Sequence, residues 1–252
     1  MTLGHNRPMP ANDPNSQRFG EVADAYDRGR PTYPAATVDW LLASAPRRIL
    51  DLGAGTGKLT EALVGRAESV VAVEPSSGMR DMLSAKLPTV VVLDGTAEAI
   101  PLPDESCDAV LVAQAWHWVD PGRATAEVAR VLVPGGLLGL VWNYRDEDDP
   151  WTAGLSAILT EFGTNPDAGY EPMVGAPFGR LERHAERWTN HVTSADVVDM
   201  VLSRSYVIAL PEAERARLVD RLHAHIARAN LDRDSRILVP YVTYAYVTSR
   251  AR

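Results

Sequence analysis

The residues best placed to do chemistry lie in one short run, Ile49 to Leu59 (ILDLGAGTGKL), where an acid, Asp51, precedes Gly53, Gly55 and Gly57. Ala54 and Thr56 separate the glycines, and Lys58 to Arg66 then carries Leu59, Ala62 and Leu63 at helical spacing. A strand that empties through glycines into a helix brings bare backbone and the positive helix end up to a ligand. A plain tight turn needs neither the alternating glycines nor the acid. Ser69 to Val73 is a second apolar, β-branched run, and it ends at Glu74, 21 residues after Gly53. At that spacing a carboxylate at the end of the second strand meets a ribose diol. Nicotinamide dinucleotides use the same acid, so Glu74 alone does not choose the ligand. The glycines do more: dinucleotide sites want G-x-G-x-x-G, and this chain has G-x-G-x-G.

Further along, AWHWVD sets Trp116, His117 and Trp118 directly behind the apolar run Asp108 to Ala113. An aromatic face attracts a cation by roughly 0.5–2 kcal/mol, and a histidine there is a candidate base for a hydroxyl or carboxylic acid. The same rings would serve equally as a pocket wall. In Leu202 to Tyr206 (LSRSY), Arg204 has two readings. It either holds a carboxylate in a bidentate geometry that Lys cannot copy, or meets the dipole at a helix end.

Alternating strands and helices must position these groups. Residues 1–16 are polar and proline-rich and read as a disordered leader, followed by Phe19, Val22, Ala23 and Tyr26 at helical spacing. Pro34 opens a helix holding Val38, Leu41 and Leu42. After Glu74, Ser76 can cap a helix whose Met79, Met82, Leu83 and Leu87 share a face, a spacing that by itself makes Met79 a core residue. Thr89 to Leu93 and Asp108 to Ala113 are the third and fourth strands. Asp120 and Pro121 open a helix through Leu132 that Pro134-Gly135-Gly136 stops, and Leu137 to Trp142 is the fifth strand. Residues 144–150 (YRDEDDP) read as a charged, solvated loop. Trp151 to Phe162, Ser194 to Ser203 and Pro211 to Asn230 read as helices, with strands over Leu181 to Val192 and Val239 to Thr248. His223 and His225, two apart, fall on different helical faces and do not share a metal.

ILDLGAGTGKLT, VVAVEPSSGM, AEAIPLPDESCDAVLVAQAWHWVD and RVLVPGGLLGLVW, in that order, resemble the motifs of class I S-adenosylmethionine-dependent methyltransferases. FGEVADAYDRGRPTYP, AQAWHW and LSRSYV resemble the subgroup that includes trans-aconitate methyltransferase-like proteins. The resemblance implies an α/β fold, a Rossmann-like doubly wound sheet of seven strands in the order 3-2-1-4-5-7-6, with the last strand antiparallel and a helical insertion. It implies S-adenosyl-L-methionine as cofactor and S-adenosyl-L-homocysteine as product. Asp51 and the backbone of Gly53, Ala54, Gly55 and Gly57 would hold the methionyl end, Glu74 the ribose, and Gln114 the methionyl amine. Pro75, Met79, Thr96, Ala97 and Glu98 would line the rest of that pocket, with Thr96 standing where many relatives carry an Asp. Tyr26 and Arg30 would turn inward from a lid. The expected division is a lid and first helix over 17–45 and a cofactor-binding core over 46–143. A substrate cover with the sixth strand over 144–210 and a closing helix and strand over 211–252 complete it.

A net charge of −8 argues against a general nucleic-acid binder. Apolar residues at 46% allow a sizeable core, and a single cysteine excludes an internal disulfide or a multi-cysteine metal site. No apolar run is long enough for a signal peptide or a membrane span, so a cytoplasmic location is expected. Monomer and dimer remain open. A methyltransferase for a small molecule, Trp116, His117, Trp118 and Arg204 facing the acceptor, leads. A nicotinamide oxidoreductase and a non-catalytic S-adenosylmethionine-binding protein stand as alternatives. A carboxylate acceptor would need no base, being already ionised.

Overall fold

The computed structural model describes residues 27, 29–163 and 170–251. The disordered-leader expectation and the helical spacing from Phe19 to Tyr26 fall outside them. Five parallel strands run along the first part of the chain: Arg48–Leu52 (β1), Ser69–Val73 (β2), Val91–Leu93 (β3), Cys107–Ala113 (β4) and Leu132–Arg145 (β5). Glu182–Val192 (β6) and Ile237–Ser249 (β7) complete a seven-stranded sheet in the order β3-β2-β1-β4-β5-β7-β6, with β7 antiparallel to both neighbours. The helices Ala35–Leu41 (α1), Lys58–Leu63 (α2), Ser77–Lys86 (α3) and Pro121–Val131 (α4) cover the parallel part. β1 is buried on both faces, as a covered parallel strand must be: Leu50 and Leu52 enter one core and Ile49 the other. No helix among the described residues is long and apolar enough to cross a membrane.

The fifth strand differs from the sequence reading. The helix before it stops at Val131, and β5 runs straight through Pro134-Gly135-Gly136 to Arg145. The antiparallel partner explains the extension at both ends. Gly135 and Gly136 exchange backbone bonds with Arg250, while Asn143, Tyr144 and Arg145 stay in register with Thr243, Val242 and Tyr241. Part of the supposed solvated loop is therefore strand, and it stands at the carboxyl edge of the sheet.

The remaining helices form a second body of packing: Pro150–Phe162 (α5), Ser194–Leu202 (α6), Ser205–Ile208 (α7) and Glu212–Ile226 (α8). Thr193 and Asp196 close a capping box at the start of α6, and Asp149 caps α5 through the Thr152 amide. Leu155, Val201, Leu218 and Leu222 from these helices bury against Ile237, Val239 and Tyr241 of β7. The insertion is thereby built onto the closing strand. α7, one turn long, was not legible as a helix.

The segment before α1 crosses between the two bodies. Asp27 accepts from Thr56 Oγ1 at 2.7 Å and lies 3.5 Å from the Lys58 and Lys86 ammonium groups. Gly29 is buried against α6, where a Cβ would come within 2.5 Å of Met200 Cα. Gly29→Ala should therefore push the segment off α6. The expected outcome is a core that melts within a few degrees of the parent, with faster proteolysis around residues 29–33. Limited proteolysis and thermal melts check it; unchanged cleavage would show that the segment tolerates the methyl group.

Candidate active site

Gly53, Gly55 and Gly57 all take positive φ, at 72°, 58° and 86°, which only glycine adopts without strain. Their amides do not face outward as bare donors. Gly53 and Ala54 both donate to Val73 O, at 2.8 and 3.1 Å, Gly55 donates to Glu74 Oε2 at 2.9 Å, and Gly57 donates to Ala54 O. The carbonyl oxygens of Gly53 and Gly55 take no part in these bonds. Carbonyls suit an ammonium group; a pyrophosphate needs amide donors. Gly57 also has a packing role. A Cβ there would lie 2.9 Å from Leu83 Cγ, so this glycine lets α3 pack on the loop. At Gly55 the nearest atom to such a Cβ is Met79 Sδ at 3.9 Å, so that side of the loop is open.

Two buried acids flank the loop. Glu74, 6% exposed, accepts the amides of Gly55 and Ser76, each at 2.9 Å. Burial raises its pKa while those two bonds oppose the rise. Each carboxylate oxygen keeps a second lone pair, enough for a ribose hydroxyl. Asp51 is fully buried; its Oδ2 accepts from Thr60 Oγ1, and Oδ1 has no partner. Its carboxyl is pushed up to about 7, by burial first, with the Thr60 bond opposing and Glu74 adding to the rise. A buried orphan acceptor beside carbonyl oxygens is a site short of a donor.

Across the carboxyl edge, Gln114 sits at φ 56° just past β4, strained for a non-glycine residue, with its amide on Val141 O and its side chain on Asn143 O at 3.2 Å. Thr96 and Ala97 form a tight turn after β3, closed by Ala99 N to Thr96 O. Glu98 Oε1 accepts the Asp120 amide at 2.9 Å and braces the start of α4. Pro75 is exposed and its carbonyl accepts from Arg80.

The Trp116–Trp118 run forms one 3-10 turn, and its three rings part company. Trp116 is fully buried in the main core and spends its N–H on Met173 O, so it belongs to packing and not to an acceptor surface. Trp118 is 44% exposed and tilts on His117. His117 Nδ1 accepts from the Trp142 indole at 3.3 Å, which puts the neutral ring's proton on Nε2 and leaves its basic lone pair engaged. In this arrangement His117 stands in a wall with Trp118 and Tyr170.

Arg204 stands where the last turn of α6 ends, half-buried, with its Nε enclosed and unpartnered. Its neighbours are Arg30 and Arg145, and burial together with those two like charges lowers its pKa to about 10. Arg145 donates through Nε to Ser156 Oγ at 3.0 Å. Sequence reasoning missed Arg145, Asn143 and Asp27. Arg145 sat in a run of acids that read as solvated, and no spacing links the other two to the loop. Tyr26 lies outside the described residues.

A model of the methyltransferase domain matches residues 50–140, which is the glycine loop, both acids and the strands to β5. An uncharacterised methyltransferase of Mycobacterium bovis is 52% identical over 233 residues, covering 90% of this chain and 93% of that protein. The chain belongs to the S-adenosylmethionine-dependent methyltransferases of class I. An uncharacterised methyltransferase-like protein of Schizosaccharomyces pombe is 37% identical over 216 residues, 82% of each chain. Among solved structures, a candidate type II methyltransferase from Anaeromyxobacter dehalogenans superposes with a TM-score of 0.68 at 23% identity, over 88% of this chain and 98% of that one. That likeness speaks for the fold alone. A cyclase shares it too, with a TM-score of 0.51 and 17% identity over 94% of this chain and 98% of that one.

S-adenosylmethionine fits the residues present in this methyltransferase. Its ammonium would find acceptors in the loop carbonyls and Asp51 Oδ1, and its ribose diol would find them in the lone pairs left on Glu74. Glu74→Ala should weaken S-adenosylhomocysteine binding by about 1–3 kcal/mol in a folded protein, measured by calorimetry. Unchanged affinity would remove Glu74 from the ribose. Asp51 also predicts a pH dependence. Its folded pKa lies above the unfolded value, so the native chain binds more protons between about pH 4 and 7 and its stability falls as pH rises through that window. Asp51→Asn should flatten that slope in urea melts; an unaltered slope would assign it elsewhere.

Proposed function

We propose that this enzyme methylates a small anionic acceptor, plausible in chemistry as a carboxylic acid converted to its methyl ester. The observation that carries the reading is the half-buried trio of Arg30, Arg145 and Arg204, with Arg145 at the carboxyl end of β5. Burying one guanidinium against two others costs free energy, and an anion held between them returns it. No carboxylate of the described residues pairs with Arg204. The helical insertion favours an enclosed acceptor of small size over a polymer. Bound S-adenosylmethionine supplies an electrophilic methyl group on a sulfonium.

The protein's part is alignment. Arg204 and Arg145 orient the acceptor carboxylate, so that one of its oxygens forms the new bond to carbon as the carbon–sulfur bond breaks and a neutral thioether leaves. The carboxylate arrives ionised and no proton has to be removed, in keeping with the engaged lone pair of His117. Trp118, His117 and Tyr170 form the aromatic wall that keeps water away. Asp51, the carbonyls of Gly53, Ala54 and Gly55, Glu74, Pro75, Met79, Thr96, Ala97 and Gln114 serve the cofactor, with Arg30 joining them from the N-terminal segment.

A panel of metabolites screened with labelled S-adenosylmethionine identifies the acceptor. With it in hand, Arg204→Lys should raise the acceptor KM by about tenfold, the cost of one lost charged hydrogen bond, and leave S-adenosylhomocysteine affinity intact. A neutral acceptor, or normal kinetics in the variant, would make Arg204 structural.

A further inference from the structure

Asn143 lies on the carboxyl-edge extension of β5, in register with Thr243 of β7. Thr243 is fully buried, so this is a polar pair inside the face of a sheet, where apolar residues would pack at less cost. Every polar atom of the pair is nonetheless used, and each in one direction. Trp188 Nε1 of β6 donates to Thr243 Oγ1 at 2.8 Å, so the hydroxyl proton goes on to Asn143 Oδ1 at 2.6 Å. That fixes the amide, and Nδ2 donates to the backbone carbonyl of Thr32 at 2.9 Å. The main-chain carbonyl of Asn143 takes the third bond, from Gln114 Nε2 at 3.2 Å. One residue thus joins three pieces that are distant in sequence: the strained turn behind β4, the segment before α1, and the closing strands.

We infer that Asn143 is a positioning residue for cofactor binding, setting the N-terminal segment and Gln114 relative to each other through its side-chain amide and its backbone carbonyl. Gln114 stands at the edge where the cofactor lies, and its left-handed backbone is strained enough to need support. The segment cannot be held at this end by any apolar contact to Thr32, which is exposed. A directed hydrogen bond holds Thr32 there, beside the packing of Tyr33 on the core. A directed polar chain of this kind, rooted in the buried Thr243, specifies one geometry, where an apolar pair would allow several.

The test separates positioning from plain stability. Asn143→Asp keeps the shape and can still accept from Thr243, but it sets a carboxylate oxygen against Thr32 O. Affinity for S-adenosylhomocysteine should fall about tenfold, as for one hydrogen bond turned into a repulsion. Hydrogen exchange in a peptide covering residues 29–33 should rise and should no longer slow when S-adenosylhomocysteine is added, while exchange in β1 and β4 stays as in the parent. Thr243→Val, which removes the donor to Oδ1 and frees the amide to turn, should give the same pattern more weakly, and Thr243→Ser should restore parental binding. Should Asn143→Asp not fold, the Thr243→Val and Thr243→Ser pair decides by the same two readouts. Parental affinity in the folded variants, or faster exchange spread evenly over the sheet, would overturn the proposal and make Asn143 a sheet-packing residue.

Discussion

The carboxylate of Glu74 holds the amides of Gly55 and Ser76 together, and the architecture of the site depends on that junction. It ties the loop after β1 to the turn after β2, alongside the bonds of Gly53 and Ala54 to Val73 O. With its amides drawn inward, the loop shows oxygen to the ligand. The same junction lets Gly57 sit against Leu83, so α3 seats on the loop and carries Met79 to its open side. An acid buried this deeply is costly, and two charge-assisted bonds to backbone offset much of that cost. Function and packing share one group.

At the other side of the site the controlling element is β7. Pairing with it lengthens β5 past the edge that the parallel neighbour β4 supports, because β4 stops at Ala113 opposite Val141. The added residues Asn143, Tyr144 and Arg145 stand over the sheet edge without a parallel strand beside them. α5, α6 and α8 pack on the far half of β7, so one strand sets both the extension of the sheet and the place of its cover. Arg204 and Arg145 come from opposite sides of that arrangement. Their proximity, with Arg30 from a third direction, is a product of the closing strand.

The N-terminal segment is fixed by polar and apolar contacts together, with Tyr33 packed on the core. Asp27 on the loop, Gly29 under Met200 and Thr32 on Asn143 hold it over a short distance. Polar anchors exchange readily with water, so such a segment opens at lower cost than a packed helix. This suits a piece that must admit a cofactor and then exclude solvent.

The sequence by itself determined the parallel core, the glycine loop and the two acids. Strand and helix periodicity, the G-x-G-x-G spacing and the acid 21 residues on are local patterns, and the physics that reads them is local too. The helix starts at Asp120 and Pro121 were legible for the same reason, because a cap acts within four residues. Only the tertiary structure decided which atoms of the loop remain for a ligand, since its amides answer to Val73 O and Glu74 on another strand. It decided that β5 runs on through Pro134 to Arg145, because the partner that holds the strand open is a hundred residues away in β7. It decided that Trp116 is core and that His117 has its lone pair engaged, because Met173 and Trp142 claim them from elsewhere in the chain. Arg30, Arg145 and Arg204 share no spacing a sequence could show; long-range packing alone brings three like charges together.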